Sequence, residues 1–242
     1  TVIRIFTDDG ILTEATQNIT AITNANPAVV TITGHLYTNG DSVIIESVGG
    51  MTELNGLTFE IANVTANTFE LVGIDSTSFG TYTSGGTAKK VVEVTSPYLE
   101  AELFELQTTQ NADTLYIAHR EHPPQKLTRT GVTTWTLTAH APTGLVLTAD
   151  NRPGAVTFYE QRLYYAGTNN DPQKMFGSKA GDFDDFTVGT AADDGLAYTI
   201  GSSDVNLIRF LSGTSRQMIV GTNGGTFTVR GGQGDEPITP TS

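Results

Sequence analysis

His119 and His122 bracket Arg120-Glu121 and are followed by Pro123-Pro124. An H-x-x-H pair on one turn offers two nitrogen ligands of the kind a transition metal takes. The spacing also has an ordinary explanation, a turn between two strands in which one imidazole bonds the backbone, and that explanation is preferred. His35 and His140 have no ligand-spaced partner.

The acidic residues Asp182, Asp184, Asp185, Asp193 and Asp194 cluster near glycines, and a hard cation such as calcium takes several oxygens from one short loop. The D-F-D-D spacing lacks the glycine-punctuated ligand order of a calcium loop. Phe183 and Phe186 look like core anchors of a solvated turn. Gly224-Gly225 and Gly231-Gly232-Gln233-Gly234 lack the following Lys-Ser or Lys-Thr and the helix start that would let them cradle a phosphate, so they read as turns. No G-x-S-x-G elbow occurs for a serine nucleophile.

Glu100, Glu102 and Glu105 could pair as glycosidase carboxylates, but such pairs arise by chance in an acidic chain and no group of aromatics accompanies them. Trp135, Tyr116, Tyr164 and Tyr165 fall on alternating strand positions and read as packing residues. Arg129, Arg152, Arg162, Arg209, Arg216 and Arg230 recur along the second half. They suit ion pairs at subunit seams better than tight phosphate contacts. No catalytic, cofactor-binding or metal-ligating residue is assigned, no cofactor is expected, and the chain reads as non-enzymatic.

The elements that must position these residues are strands. Turn signals recur every 8 to 12 residues, and no segment sustains the i, i+3, i+4, i+7 apolar spacing beyond about two turns. The expected class is therefore all-β. One helical turn is expected at residues 96–106, with Ser96 as cap, Pro97 at the first helical position and Leu99, Leu103 and Leu106 on one face.

Residues 17–92 form a block of their own. Alternation at 29–33, 42–46, 58–64 and 68–72 is punctuated by Asn39-Gly40-Asp41, Gly49-Gly50, Asn55-Gly56 and Gly85-Gly86, where Asn and Gly accept the left-handed backbone of tight hairpins. Four to six short strands in this span suggest a small barrel. Alternation at 10–14 and 91–94 suggests two neighbouring strands that hold the block's ends together, as expected of a domain inserted into a host.

A repeat follows. Asp113 to Ala118 (DTLYIA) precedes Pro124-Gln125-Lys126-Leu127, and Gln161 to Ala166 (QRLYYA) precedes Pro172-Gln173-Lys174-Met175. Leu115 and Leu163 stand 48 residues apart, as do Pro124 and Pro172. A looser third copy runs from Arg216 to Gly221 and on to Gly225 to Val229. Each copy is preceded by another apolar strand, at 103–108, 155–159 and 207–211, and the first two have a fourth candidate at 134–137 and 183–188. Three or four strands at a period near 50 residues is the pattern of propeller blades, which bury their faces against one another. Three copies make an incomplete ring. The expected organisation is N-terminal host strands at 1–16, an inserted barrel at 17–92 and blade-like repeats at 93–242.

With 13 basic and 26 acidic residues among 242, the formal net charge is -13, which disfavours a surface that grips nucleic acid by neutralising phosphates. It leaves room for a duct through which DNA slides. The absence of cysteine excludes disulfides and thiolate metal sites. No apolar run approaches the roughly 18 to 20 residues of a membrane-spanning helix. A strand at the first residues and a polar, proline-containing close at 235–242 read as a fragment of a longer polypeptide.

The run from Ser96 to Arg129 followed by Trp135, the run "RPGAVTFYEQRLYYAGTNNDPQKMFGSKAGDFDDFTVG" from Arg152 to Gly189, and "GTNGGTFTVRGG" leading to "ITPT" together resemble the tail tubular, or nozzle, proteins of short-tailed bacteriophages across residues 93–242. Residues 34–88 resemble the FCCH domain named from ubiquitin-activating enzymes. The first resemblance implies a virion protein of the tail: a homo-oligomeric ring, in the well-known cases a hexamer, that meets other tail proteins such as adaptor and fibres while DNA passes without tight binding. The second implies a small β-barrel and no ubiquitin chemistry. The alternative is a host-surface or carbohydrate-binding module of a tail tip, with loops such as 167–172 as its contact surface.

Overall fold

The computed structural model describes residues 1–7, 10–201, 205–232 and 236–241. The Gln233-Gly234 part of the glycine-rich run lies outside them. The protein is built almost wholly of short antiparallel strands, in two compact units, Val2–Thr95 and Ser96–Ser242 with Thr1.

In the first unit β1 (Val2–Arg4) pairs with β11 (Glu93–Thr95), and β2 (Phe6–Thr7) with β3 (Gly10–Ile11). The segments at 10–14 and 91–94 are neighbours: the Val92 amide donates to Leu12 O at 2.9 Å, and Thr13 bridges Val91. Between them lie β4 (Gln17–Asn18), β5 (Ala21–Ile22), β6 (Val29–Thr31), β7 (Ser42–Gly49), β8 (Leu57–Ala62), β9 (Thr68–Leu71) and β10 (Ser84–Lys90), in the order β4-β10-β7-β8-β9-β6-β5.

The barrel expected here takes the form of a rolled sheet. Its edge strands β4 and β5 are consecutive in the chain: the Ile19 amide donates to Gly86 O on one edge and the Thr20 amide to Thr31 O on the other. The ladder stays open between β4 and β5 themselves. The inner face carries every second residue, Val43 and Ile45, Phe59 and Ile61, Phe69 and Leu71, all buried, as the period of two requires. His35 is also buried there, its Nδ1 accepting the Tyr37 amide at 3.1 Å.

The second unit holds three meanders. The first is β12 (Gln107–Asn111), β13 (Thr114–His119), β14 (His122–Arg129) and β15 (Trp135–Ala139). The second is β16 (Ala155–Tyr159), β17 (Arg162–Ala166), β18 (Lys174–Gly177) and β19 (Leu196–Thr199). The third is β20 (Ile208–Gly213), β21 (Met218–Thr222) and β22 (Thr226–Val229). Their opening strands adjoin, β12 beside β16 and β16 beside β20.

The middle sheet is covered on both faces, which explains the unbroken buried run of β17. Leu163 and Tyr165 join Tyr116, Ala118 and Phe186 on one side, while Tyr164 and Ala166 join Ile208, Leu211, Met218 and Val220 on the other. Tyr164 and Tyr165 are fully buried.

Three expectations are corrected. The strand expected at 103–108 begins only at Gln107, because Glu100–Glu105 forms a 3-10 turn. Ser96 does not cap that turn. Leu99 precedes it, and Leu99 and Leu103 face solvent instead of forming a buried stripe. The fourth strand of the second sheet is Leu196–Thr199, not 183–188. There the Asp184 amide is bonded to Asp182 Oδ1 and the Thr187 amide to Asp185 Oδ1, and the rest of the segment makes single bridges, Thr143 with Asp185 and Val188 with Gly195, in place of a ladder.

Candidate functional site

The β13–β14 turn brings His119 and His122 together, with ring centroids 5.1 Å apart. The preceding 3-10 turn adds Glu102, whose Oε2 lies 2.8 Å from His122 Nε2, so that ligand-type atoms of Glu102, His119 and His122 lie within 4.8 Å of one another. Glu102 Oε2 also accepts the Leu99 amide at 2.8 Å, and that bond first, then His122, holds its carboxyl below the ordinary value. Tyr98 packs over both rings, and burial pushes its hydroxyl up to about 12.

This cluster does not fit a cation as it stands. The Glu121 amide donates to His119 Nδ1 at 3.1 Å, so in the neutral ring the proton sits on Nε2. A ligating imidazole needs the reverse, a bare nitrogen toward the metal and a protonated one toward an acceptor. His119 Nε2 is buried without a hydrogen-bond partner, its nearest carboxylate oxygen being Glu105 Oε2 at 3.7 Å. The turn is thus built as its ordinary explanation requires, with one imidazole bonding backbone.

The aspartates do not converge either. Asp184 lies 2.9 Å from Lys126 Nζ and 2.8 Å from His140 Nε2, Asp185 pairs with Lys179 at 2.8 Å, and Asp194 accepts the Ala191 amide at 3.0 Å. The pairing with Lys179 and the bonds from Thr187 hold Asp185 at about 2.

Behind Asp184 lies a buried chain that spacing did not reveal. His140 Nε2 lies 2.8 Å from Asp184 Oδ1, in ion-pair reach but without hydrogen-bond alignment, and His140 Nδ1 shares a hydrogen bond with the Tyr165 hydroxyl at 2.8 Å. Burial raises Tyr165 well above its ordinary value, and burial lowers His140 against the pull of Asp184. Both groups are held neutral, and their chemistry is to tie β17 to the segments around 140 and 184.

Arg162 is also not where a seam would place it. It is 2% exposed, and its guanidinium donates to the carbonyls of Ser178 and Asp194, both at 2.6 Å, and to that of Ala192. Arg152 donates to Glu121 O, and Arg129 lies 5.9 Å over the half-buried Trp135 ring.

Arg209, together with Arg120, lines a cleft of ≈ 300 Å³ where the opening strands of the three sheets begin, with Glu105, Gln107, Gly154 and Phe210. Arg120 Nη2 donates to Ile208 O at 2.8 Å, and Arg209 Nε to Asn223 Oδ1 at 2.7 Å. Of its residues, sequence reading singled out Arg209 and Glu105 for other reasons and did not single out Arg120. The cleft has no local signature, because its lining spans residues 105 to 210.

Residues 25–92 match the family model of the ubiquitin-activating enzyme E1 FCCH domain. No curated protein matches. Among solved structures, the chain is similar to a phage phi92 endosialidase at 14% identity and a TM-score of 0.29, covering 91% of this chain and 34% of that one. The chain thus spans about a third of that protein, and a likeness of this size carries no argument about fold or activity.

Proposed function

We propose that this chain is a structural part of a bacteriophage tail, a wall segment of the tubular nozzle ring through which the genome leaves, with residues 17–92 as a small β domain inserted into it. One observation carries the reading: β12, β16 and β20, the opening strands of successive meanders, adjoin one another. Sheets that share one edge in this way radiate from it like propeller blades around an axis. The resemblance of residues 93–242 to nozzle proteins supplies the rest.

Each sheet contributes stiffness by burying its faces on the next, and the middle one is buried on both. A net charge of -13 suits a wall along which phosphate backbones slide without adhering. The ring would be homo-oligomeric, bordered by adaptor and fibre proteins, and its work is mechanical, not enzymatic. The FCCH-like segment would meet neighbouring tail parts or the host.

Negative-stain imaging of the full-length protein and of purified virions tests this. Rings with a central hole, matched by the same density at the tail end, are the expected result. A monomer absent from virions would overturn the reading.

A further inference from the structure

Arg120, Arg209 and Phe210 each rest on a seat that another residue type would block or leave empty. A Cβ on Gly154 would stand 2.6 Å from Arg120 Nε, and one on Gly167 would stand 3.0 Å from Arg120 Nη2. The Arg120 side chain is therefore laid across two glycines, with its far end bonded to Ile208 O. Phe210 pairs with Gly221 across the β20–β21 ladder, and a Cβ there would stand 1.9 Å from the ring. One ring face is seated on bare backbone, while the residue stays 43% exposed. Arg209 is held by Asn223 from the neighbouring strand.

The charges in this cleft are unbalanced. Among the described residues neither Arg120 nor Arg209 has a carboxylate within ion-pairing distance, although acidic residues outnumber basic ones two to one. Burial and then the neighbouring Arg209 lower the Arg120 pKa, against a smaller pull from Glu105 and Glu121, so the two cations oppose each other and the nearby carboxylates only partly offset them. Among the described residues each guanidinium spends one N–H group on the protein, at Ile208 O and at Asn223 Oδ1, of the five it carries.

We propose that this cleft binds a carboxylate-bearing sugar residue, the two arginines taking the carboxylate and the open face of Phe210 taking the apolar face of the ring. Planar guanidinium forks match a carboxylate edge, and about 300 Å³ is the lower bound of ordinary ligand sites, the size for one or two sugar residues and not for a duplex. A polyanion such as DNA would also meet the chain's overall negative charge, whereas a single sugar meets the two arginines and one opposing carboxylate, Glu105, at the rim. Seats that hold the side chains before binding reduce the ordering cost of binding. The proposal is independent of the tail assignment.

The test is calorimetric titration of the full-length protein with D-glucuronate, D-glucose, acetate and inorganic phosphate. Saturable binding of glucuronate, with glucose and phosphate at least about tenfold weaker, is expected. Arg209→Ala, a surface change, should weaken glucuronate about tenfold or more, and Phe210→Ala should weaken glucuronate but not acetate. Glu105→Gln, which removes the rim carboxylate, should tighten glucuronate. Equal binding of phosphate and glucuronate would show a nonspecific anion site, glucose equal to glucuronate would remove the arginines' role, and no saturable glucuronate binding would end the proposal. None of these results bears on whether rings form.

Discussion

Arg120 lies flat across Gly154, its Nε 2.6 Å from the point where a Cβ would stand. The glycine is needed for room: its φ lies outside the left-handed region, and the guanidinium fills the space. Gly154→Ala should push Arg120 off Ile208 O, at a cost of about 1–3 kcal/mol for overpacking. Denaturant unfolding would measure the loss. A Gly154→Ala protein as stable as wild type would show that Arg120 has free space elsewhere.

Arg162 should be the more sensitive arginine. Its fork serves carbonyls at Ser178, Ala192 and Asp194, and among the described residues no carboxylate pairs with it. Arg162→Met would leave those oxygens without a donor in a buried place and should cost about 3 kcal/mol or more. Arg162→Lys keeps the charge but not the fork, and should recover only part of the loss. Chemical denaturation of the two variants side by side checks the order.

The fate of Arg162 shows where sequence reading stops. Alternation and the 48-residue offset placed β13, β14, β17 and β18, because strand periodicity and turn chemistry are local. The hairpin joining β16 to β17 is legible from the strands at 155–159 and 162–166 and not from its turn, which is made by Glu160 and Gln161 at φ 47° and 59°, neither of them the Gly or Asn such turns favour. The segment at 183–188 carries Phe183, Phe186 and Val188, yet Asp182 and Asp185 take the Asp184 and Thr187 amides, and only single bridges remain. The cleft was invisible because Arg120, Gly154 and Phe210 meet only after three sheets pack.

In the first unit, Gly80 and Gly50 approach each other by backbone alone. A Cβ on Gly80 would stand 2.1 Å from Gly50 O, and one on Gly50 would stand 2.0 Å from Thr81 O. Neither clash is with a flexible side chain, so the backbone of the two connecting segments must move. Gly80→Ala should cost about 3 kcal/mol, the upper range for overpacking, and thermal unfolding would show it. A neutral effect would mean that the 80–83 segment shifts freely.

The His119–His122 turn should take up no zinc at stoichiometric level. The Glu121 amide occupies His119 Nδ1, and turning the ring's proton around would set two N–H groups against each other. Dialysis against zinc followed by elemental analysis would check this. One tightly held zinc per chain, lost in His122→Gln, would mean that the Glu121 bond yields to the metal.

Acid should unfold the protein in two stages, and the sign of the first comes from His140. Its folded pKa lies below the ordinary 6.5, so on acidification the unfolded chain takes up this proton before the folded one does. Stability is therefore full above about 6.5 and declines as pH falls below it toward the folded pKa. The second stage belongs to Asp184 and Asp185, both depressed from 3.8, the latter to about 2. Burial alone would raise Asp184, but Lys126 and His140 outweigh it. Their contribution is present above 3.8 and is lost below it. Replacing His140 with Gln removes the first proton uptake but keeps a polar partner for Tyr165. The variant should start less stable at pH 8, by about 1–3 kcal/mol for a disturbed buried hydrogen bond, and show a flatter midpoint profile between pH 6.5 and 5. Midpoints from thermal unfolding at half-unit pH steps would separate the stages. An unchanged slope in the variant would place the first stage on another histidine.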